Sequence, residues 1–333
     1  MIGKLPPDQL KKYILDKVGH RREEVVLGGS LSEDCAVLKL SGYTLASSDP
    51  ITAASSGLGK LSVEVSVNDI AAAGGEPVCA ILTLLAPPGT PPEELAAVME
   101  EAEATAALRG VEIAGGHTEF TDAVNRLITV TTVIGKADRL ITSARFSPGE
   151  SLLLTKTAGL EGTGILAAEQ GERLLRGGMT AEELRTAREI GQNISVLAEG
   201  RILRELPVSA LHDVTEGGVF GAAVEMAQAA GLGAELWEEA IPVHPVTRKL
   251  CSILGLSPFK LISSGSMLIV SPKPGEVQRS LAEAGIPCAV IGRVEQAPGV
   301  RVRSHGATRP VTDTEDHLHQ GRGTVPDPKG GLK

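Results

Sequence analysis

Between residues 43 and 137 the chain alternates short β-branched runs with helical stretches, and this alternation restricts it to folds that layer helices on a sheet. YTLASSDPI (43–51) reads as a strand ending at Asp49-Pro50, because the proline biases Asp49 toward an extended backbone. CAILTLLAPP (79–88) reads as a buried strand. PPEELAAVMEEAEATAALRG (91–110) reads as a helix with prolines at its start and Gly110 at its end. VEIAGGHTEF (111–120) reads as a strand running into a Gly-Gly turn, and LITVTTVIGKA (127–137) as a β-branched strand. GKLSVEVSVNDIAAAG (59–74) fits both periods, with its alanine run and Gly74-Gly75 favouring a helix.

The N-terminal part adds a helix over 8–18, then a strand, a Gly-rich turn and a second apolar run across VVLGGSLSEDCAVLKL. The second half repeats the mixture. SPGESLLLTKT (147–157) opens with a strand, and 180–203 reads as one long helix capped by Thr180 and Glu183. HDVTEGGVFGAAVEMAQAAG (212–231) is a turn feeding a helix, KLISSGSMLIV (260–270) a turn feeding a strand, and a helix and strand follow. The fold class is therefore α/β (α+β) in two successive parts, 1–146 and 147–308. The polar, Pro- and Gly-rich stretch 309–333 is expected to be a flexible tail.

Composition narrows the partners. Aromatic residues are only 2% of the chain, so the core must come from Ala, Val, Leu and Ile. With a formal net charge of -9 and no aromatic platform, nucleic acid is not the expected partner. No stretch approaches the roughly 20 apolar residues that span a bilayer, and MIGKLPPDQL has no long apolar run, so the expected location is the cytoplasm with no membrane contact. Cys35, Cys79, Cys251 and Cys288 form no CxxC pair and are expected to be reduced, packed thiols.

Chemistry-bearing residues cluster between 30 and 120: Ser32-Glu33-Asp34 after Gly28-Gly29, Asp49, the GLGK segment with Lys60, Asn68-Asp69, and Gly115-Gly116-His117-Thr118-Glu119. Separated carboxylates at the ends of apolar runs suit a magnesium–triphosphate site, since Mg²⁺ takes oxygen ligands and keeps phosphates in its shell. A lysine adds a point charge for phosphate, and glycine turns let amides approach phosphate oxygens. GLGK lacks the Walker A spacing, and no GxGxxG follows a first strand. Each feature also has a plain structural reading as a turn acid, a cap or a solvated side chain. In the second half, Asp213 to Gly218 opens a helix whose free amides make an anion site, with Thr215 as a simple cap in the plainer reading.

Taken together these stretches resemble the AIR-synthase-like (PurM-like) superfamily, whose members include AIR synthase, thiamine-monophosphate kinase, selenide water dikinase, FGAM synthetase and HypE. SEDCAVL (32–38), SSDP (47–50), GLGKLSVEVSVNDIAAAGGEPV (57–78) and AGGHTE (114–119) carry the resemblance in the first half. KTAGLEGTGILA (156–167), LHDVTEGGVFGAAVEMAQAAG (211–231) and LISSGSMLIV (261–270) carry it in the second, where HypE is the nearest branch. The resemblance implies a PurM-like N-terminal α/β domain that binds ATP and Mg²⁺, followed by a PurM-like C-terminal α/β domain. It also implies a homodimer paired through the N-terminal sheets into a β-barrel. Asp34, Asp49, Asp69 and Glu119 would hold the metal. Lys60 would contact phosphate, Asn68 would orient it, and Gly115, Gly116, His117 and Thr118 would line the nucleotide. Asp213, Thr215, Glu216, Gly217 and Gly218, with Ser264 and Gly265, would receive the second substrate or a phosphate.

The chain departs from its relatives in two ways. HypE carries a tail cysteine that is modified, whereas the last cysteine here is Cys288, inside an expected strand. AIR synthase, FGAM synthetase and thiamine-monophosphate kinase have an acid where this chain has His117, a candidate for proton transfer alongside Lys60 as the second catalytic residue. Three readings stay open at this stage. One is an ATP- and Mg-dependent enzyme acting on an amide or similar oxygen of an unknown small-molecule substrate. Another is an ATP-binding maturation partner or scaffold without turnover. The last is a small-molecule kinase like thiamine-monophosphate kinase.

Overall fold

The computed structural model describes residues 2–29, 35–52, 57–312 and 314–322, and the chain divides into two units, Met1–Leu140 and Ile141–Lys333. The first unit runs β1 (Gly3–Lys4), α1 (Pro7–Tyr13), β2 (Val25–Leu27), β3 (Val37–Leu38), β4 (Tyr43–Ile51), α2 (Leu58–Ala72), β5 (Glu76–Ala86), α3 (Pro92–Arg109), β6 (Glu112–Phe120) and β7 (Ile128–Ala137). Its main sheet has the order β1-β6-β5-β7-β4, with β5 and β6 parallel and the other pairs antiparallel. Helix α2 packs on β4 and β7, and α3 packs on α2. Buried Val63, Val67, Ile70, Leu95, Met99, Leu82 and Leu84 form this aliphatic core. The ambiguous 59–74 segment is thus a helix, buried along most of its length.

Three local expectations change. The helix expected over 8–18 stops at Tyr13 and continues as a 3₁₀ turn, Leu15–Lys17, because Ile14 leaves helical geometry at φ -121. Gly115-Gly116 is not a turn, since β6 runs straight through it. A side-chain carbon on Gly116 would fall 1.9 Å from the Leu82 carbonyl oxygen, so the glycine is there to let β6 lie against β5. Asp49 lies inside β4 rather than at its end. Pro50 is tolerated because β4 is an edge strand, where a missing N–H breaks no ladder.

An ion-pair network pins the start of β2 to the sheet. Arg22 donates to Glu24 and Glu76 at 2.8 Å each, and the Lys136 ammonium reaches Glu24 at 2.6 Å. These cations hold the buried Glu24 carboxyl down at about 2. A depressed carboxyl stabilises the fold fully above its unfolded value near 4.5 and loses that contribution as pH falls toward 2. Stability is therefore expected to drop by about 3 kcal/mol from this group across that window, and Glu24→Gln should flatten the acid limb of a chemical-denaturation series.

The second unit runs β8 (Ser151–Thr155), α4 (Leu160–Glu169), α5 (Gly171–Arg176), α6 (Ala181–Ile190), α7 (Leu197–Leu203), β9 (Ala210–Asp213), α8 (Gly218–Ala230), β10 (Gly233–Trp237), α9 (Pro245–Leu254), β11 (Met267–Ser271), α10 (Pro274–Glu283), β12 (Cys288–Glu295), β13 (Gly299–Ser304), β14 (Ala307–Pro310) and α11 (Leu318–Arg322). The sheet order is β14-β13-β10-β12-β8-β11-β9. Helix α8 covers one core with Leu152, Leu154, Leu268 and Val270, while α4, α6 and α9 enclose a second around Leu166, Leu184 and Leu250. The single helix expected over 180–203 is two helices. Gly191 ends the first with its backbone pressed on Gly164, where a side-chain carbon would fall 2.4 Å from the Gly164 Cα. The capping box of Thr180 and Glu183 is present.

The expected loose tail is corrected over its described part. β14 pairs with β13, Leu318 is buried, and Arg322 holds Glu169 through two bonds of 2.8 and 2.9 Å. No helix among the described residues is long and apolar enough to cross a membrane.

Candidate functional site

Strand β4 and helix α2 bring Asp49 and Asp69 to one locus in the first unit. The Ser47 hydroxyl donates to Asp69 and lies 3.4 Å from Asp49 Oδ2. Ser66, one helical turn before Asp69, donates to Asp49 at 2.8 Å and to the Thr131 carbonyl at 3.0 Å. The hydroxyls of Thr129 and Thr131, fully buried on β7, have no hydrogen-bond partner among the described residues, and Thr131 is the cross-strand neighbour of Asp49. Two carboxylates beside buried orphan hydroxyls form an all-oxygen donor set, which fits a hard cation such as Mg²⁺.

Strand parity decides what joins this pair. Asp49, Thr131, Leu82 and Gly116 lie in one row across the sheet. Gly116, Thr118 and Phe120 therefore share the face of Asp49, and His117 and Glu119 point to the opposite face. The row also spans three strand spacings, about 14 Å. Glu119 is instead bonded to His117, whose Nε2 lies 3.0 Å from Glu119 Oε2. The expected metal set is corrected accordingly. Within one chain Glu119 does not join Asp49 and Asp69, and among the described residues no three His, Cys, Asp or Glu side chains form a metal-binding group. Asp34 lies outside the described residues. Lys60, in the first turn of α2, stands nine residues before Asp69, about 14 Å along the helix axis, and Asn68 is buried.

A cavity of about 330 Å³ straddles β6, lined by Leu10, Ile14, Met99 and Thr118 from the helix side and by Gly29, Cys35, Gly115 and His117 from the other. It brings Gly29 and Cys35 beside the glycine-rich stretch of β6. Cys35 is a correction, being exposed there rather than packed. Burial pushes the other thiols up, Cys79 to about 11 and Cys251 and Cys288 to about 12.

In the second unit three loops are stitched together. The Gly159 N–H donates to Ser263 Oγ at 2.8 Å, the Ser266 hydroxyl to the Thr157 carbonyl at 2.8 Å, and the Val214 N–H to the Ser266 carbonyl at 2.9 Å. Thr215 meets Ser263 through its carbonyl oxygen at 3.4 Å. Gly218 has to be glycine, with φ 61 and space for no side-chain carbon beside the Phe259 and Leu261 carbonyls. The turn differs from the open anion site expected of it. The Gly217 N–H donates to the Asp316 carboxylate at 2.9 Å. Glu216, Asp316 and the buried Glu161 Oε2 stand close enough to act on one another. Ser264 bonds Glu161, and the Gly265 carbonyl accepts from Lys156 at 2.7 Å. Asp213 closes β9, buried, with His212 bridging it to Glu225; these carboxylates draw the imidazole up to about 10 against its burial. Ser47, Ser66, Thr131, Glu161 and Asp316 went unread in the sequence. Only Ser47 and Ser66 carried a signal there, by their i+2 and i+3 spacing to Asp49 and Asp69.

Two consecutive α/β units, the first with a paired-carboxylate locus and a glycine-lined cavity, define a two-domain protein of mixed sheets with its chemistry at loop and strand positions. The models of the AIR synthase related protein N-terminal and C-terminal domains match residues 32–137 and 147–305, and the chain belongs to the AIR synthase related family. It is 31% identical to carbamoyl dehydratase HypE of Escherichia coli K12, covering 81% of each chain. It is 30% identical to selenide, water dikinase of Nitratidesulfovibrio vulgaris Miyazaki F, over 88% of this chain and 92% of the relative. The crystal structure of E. coli HypE superposes with a TM-score of 0.78 at 25% identity, covering 91% and 95% of the two chains.

Proposed function

We propose that this chain is an ATP- and magnesium-dependent enzyme that phosphorylates an oxygen of an amide or similar group on a small substrate, activating it for loss or displacement. The observation that carries this reading is the Asp49–Asp69 pair, drawn together from a strand and a helix by Ser47 and Ser66 beside orphaned threonine hydroxyls. The two half-buried carboxylates converge on the same serine hydroxyl and offer a cation a ready pair of oxygen ligands. Magnesium, when bound, supplies neutralisation of phosphate charge. Asp49 and Asp69 would hold it, and Ser47 and Ser66 fix their orientation. The cavity beside Gly115–Thr118, about 14 Å across the sheet from the carboxylate pair, would take the end of the nucleotide farthest from the metal. His117, oriented by Glu119, would move a proton at Nδ1. The name of one relative, a dikinase, agrees with phosphoryl transfer, and that of the other, a carbamoyl dehydratase, with loss of an activated oxygen.

A homodimer belongs to the same reading. Helices α2 and α3 pack on the Asp49 side of the sheet; on the other face Ile81 and Ile134 are covered by the β2–β3 region, and half-buried Thr83, Val130 and Thr132 are left for a second copy. A maturation protein is a further partner by the likeness to HypE. Calorimetric titration of the wild-type protein with ATP is expected to show binding with Mg²⁺ and at least tenfold weaker binding in chelator. Equal affinity in both conditions, or no binding, defeats the proposal.

A further inference from the structure

The seven-stranded sheet of the second unit is covered unevenly. On one face Leu236 of β10 and Val300 and Val302 of β13 are buried in the core beneath α8. Strand parity sends Glu235 and Trp237 of β10, with Arg301 and Arg303 of β13, to the opposite face. The register sets Arg293 of β12, Glu235 and Arg301 in one row, and Trp237 beside Arg303 two residues farther on. Toward β8 and β11 that same face is closed, since the paired Leu153 and Ile269 are fully buried. Its β10–β13 end stays open. Trp237 and Arg301 are half-buried, and the side chains of Arg293 and Arg303 are 58% and 50% exposed. The charge here runs against that of the whole chain. Residues 287–310 contain four arginines and one acid, in a chain of net charge -9.

We propose that this open end of the sheet docks an acidic, extended segment of a partner protein. The groups that would meet it are already held. The Trp237 indole N–H donates to Glu235 at 2.9 Å, and the Arg303 guanidinium stands over the indole ring, 5.4 Å from its centroid, with Nη1 3.6 Å from the same carboxylate. Arg293 gives one N–H to Glu295 at 3.0 Å, and Arg301 has no ion pair among the described residues. A guanidinium carries five N–H donors, so most of those on the three arginines remain for a partner. Tryptophan and arginine are also the side chains that concentrate binding energy at protein interfaces. Arg301 and Arg303 lie about 7 Å apart along β13, which is the two-residue repeat of an extended chain, and carboxylates on alternate residues of the segment would reach both. Arg293, about 10 Å across the sheet from Arg301, adds to the attraction. The inference stands on the second unit alone and is independent of the nucleotide reading.

Trp237 is the only tryptophan of the chain, so its fluorescence reads this face directly. Titrating the full-length protein with a peptide of alternating glutamate and threonine is expected to give a saturable change that weakens as salt is raised. A peptide of alternating lysine and threonine should leave the signal still. Arg301→Glu should weaken the response about tenfold, and Arg293→Glu by a smaller factor. Arg185→Glu, on the exposed surface of α6, should leave it at the wild-type value. The inference is overturned by the absence of a response, or by an equal response to the lysine peptide or to oligothymidylate. Unchanged affinity in both Arg301→Glu and Arg293→Glu overturns it, as does an Arg185→Glu loss as large as theirs. Sedimentation in which the wild-type protein pairs with itself, and Arg301→Glu does not, gives the face to a second copy and overturns it too.

Discussion

Asp69→Asn is expected to weaken MgATP binding by about tenfold or more, with little change in thermal stability. The asparagine keeps an oxygen that accepts from the Ser47 hydroxyl, so α2 stays tied to β4. What disappears is one of two negative charges beside the orphaned Thr131 hydroxyl. A hard cation then has Asp49 alone. Calorimetry reads the affinity, and circular dichroism checks that the fold is intact. Unchanged affinity in a folded variant would move the metal away from this locus. Ser66→Ala should give a smaller loss, because it keeps both carboxylates and removes a hydroxyl that orients Asp49 and ties α2 to the Thr131 carbonyl.

The largest effect on stability is expected at Arg109→Met. Glu64, on α2, is 1% exposed, and Arg109 at the end of α3 holds it through Nε at 3.0 Å to both carboxylate oxygens. Removing the guanidinium leaves a buried charge uncompensated, at a cost of about 3–5 kcal/mol to the first unit. The double change Glu64→Leu with Arg109→Met should recover most of it, since two apolar groups replace the whole pair. Urea unfolding, followed on the transition of the first unit, separates these outcomes. If the double variant is as unstable as the single one, the pair contributes through packing instead.

Much of the fold can be read from local signals. Proline at the start and glycine at the end delimit α3, and Thr180 with Glu183 announces α6. The 59–74 segment is a helix although its valines alternate, because its alanine-rich end and glycine stop outweigh a period both structures share. Glycine misleads where its role is non-local. Gly115-Gly116 looks like a turn and is a strand lying tight against Leu82. Gly191 looks like a tolerated helical residue and ends α6 against Gly164. Neither contact has any trace within a window of neighbouring residues.

The candidate site divides in the same way. The sequence by itself determined the α/β class, the aliphatic core and which acids, glycines and hydroxyls were available to chemistry. Only the tertiary structure decided how they group. The strand order β6-β5-β7-β4 separates Glu119 from Asp49, and the two-residue period of β6 turns His117 and Glu119 to the opposite face. It also decided that Asp316, in a stretch expected to be loose, sits on the Gly217 amide. The physical reason is that side-chain type and local period are written in consecutive residues, whereas ladder hydrogen bonds and close backbone approaches join segments tens to a hundred residues apart, and those joins fix which groups meet.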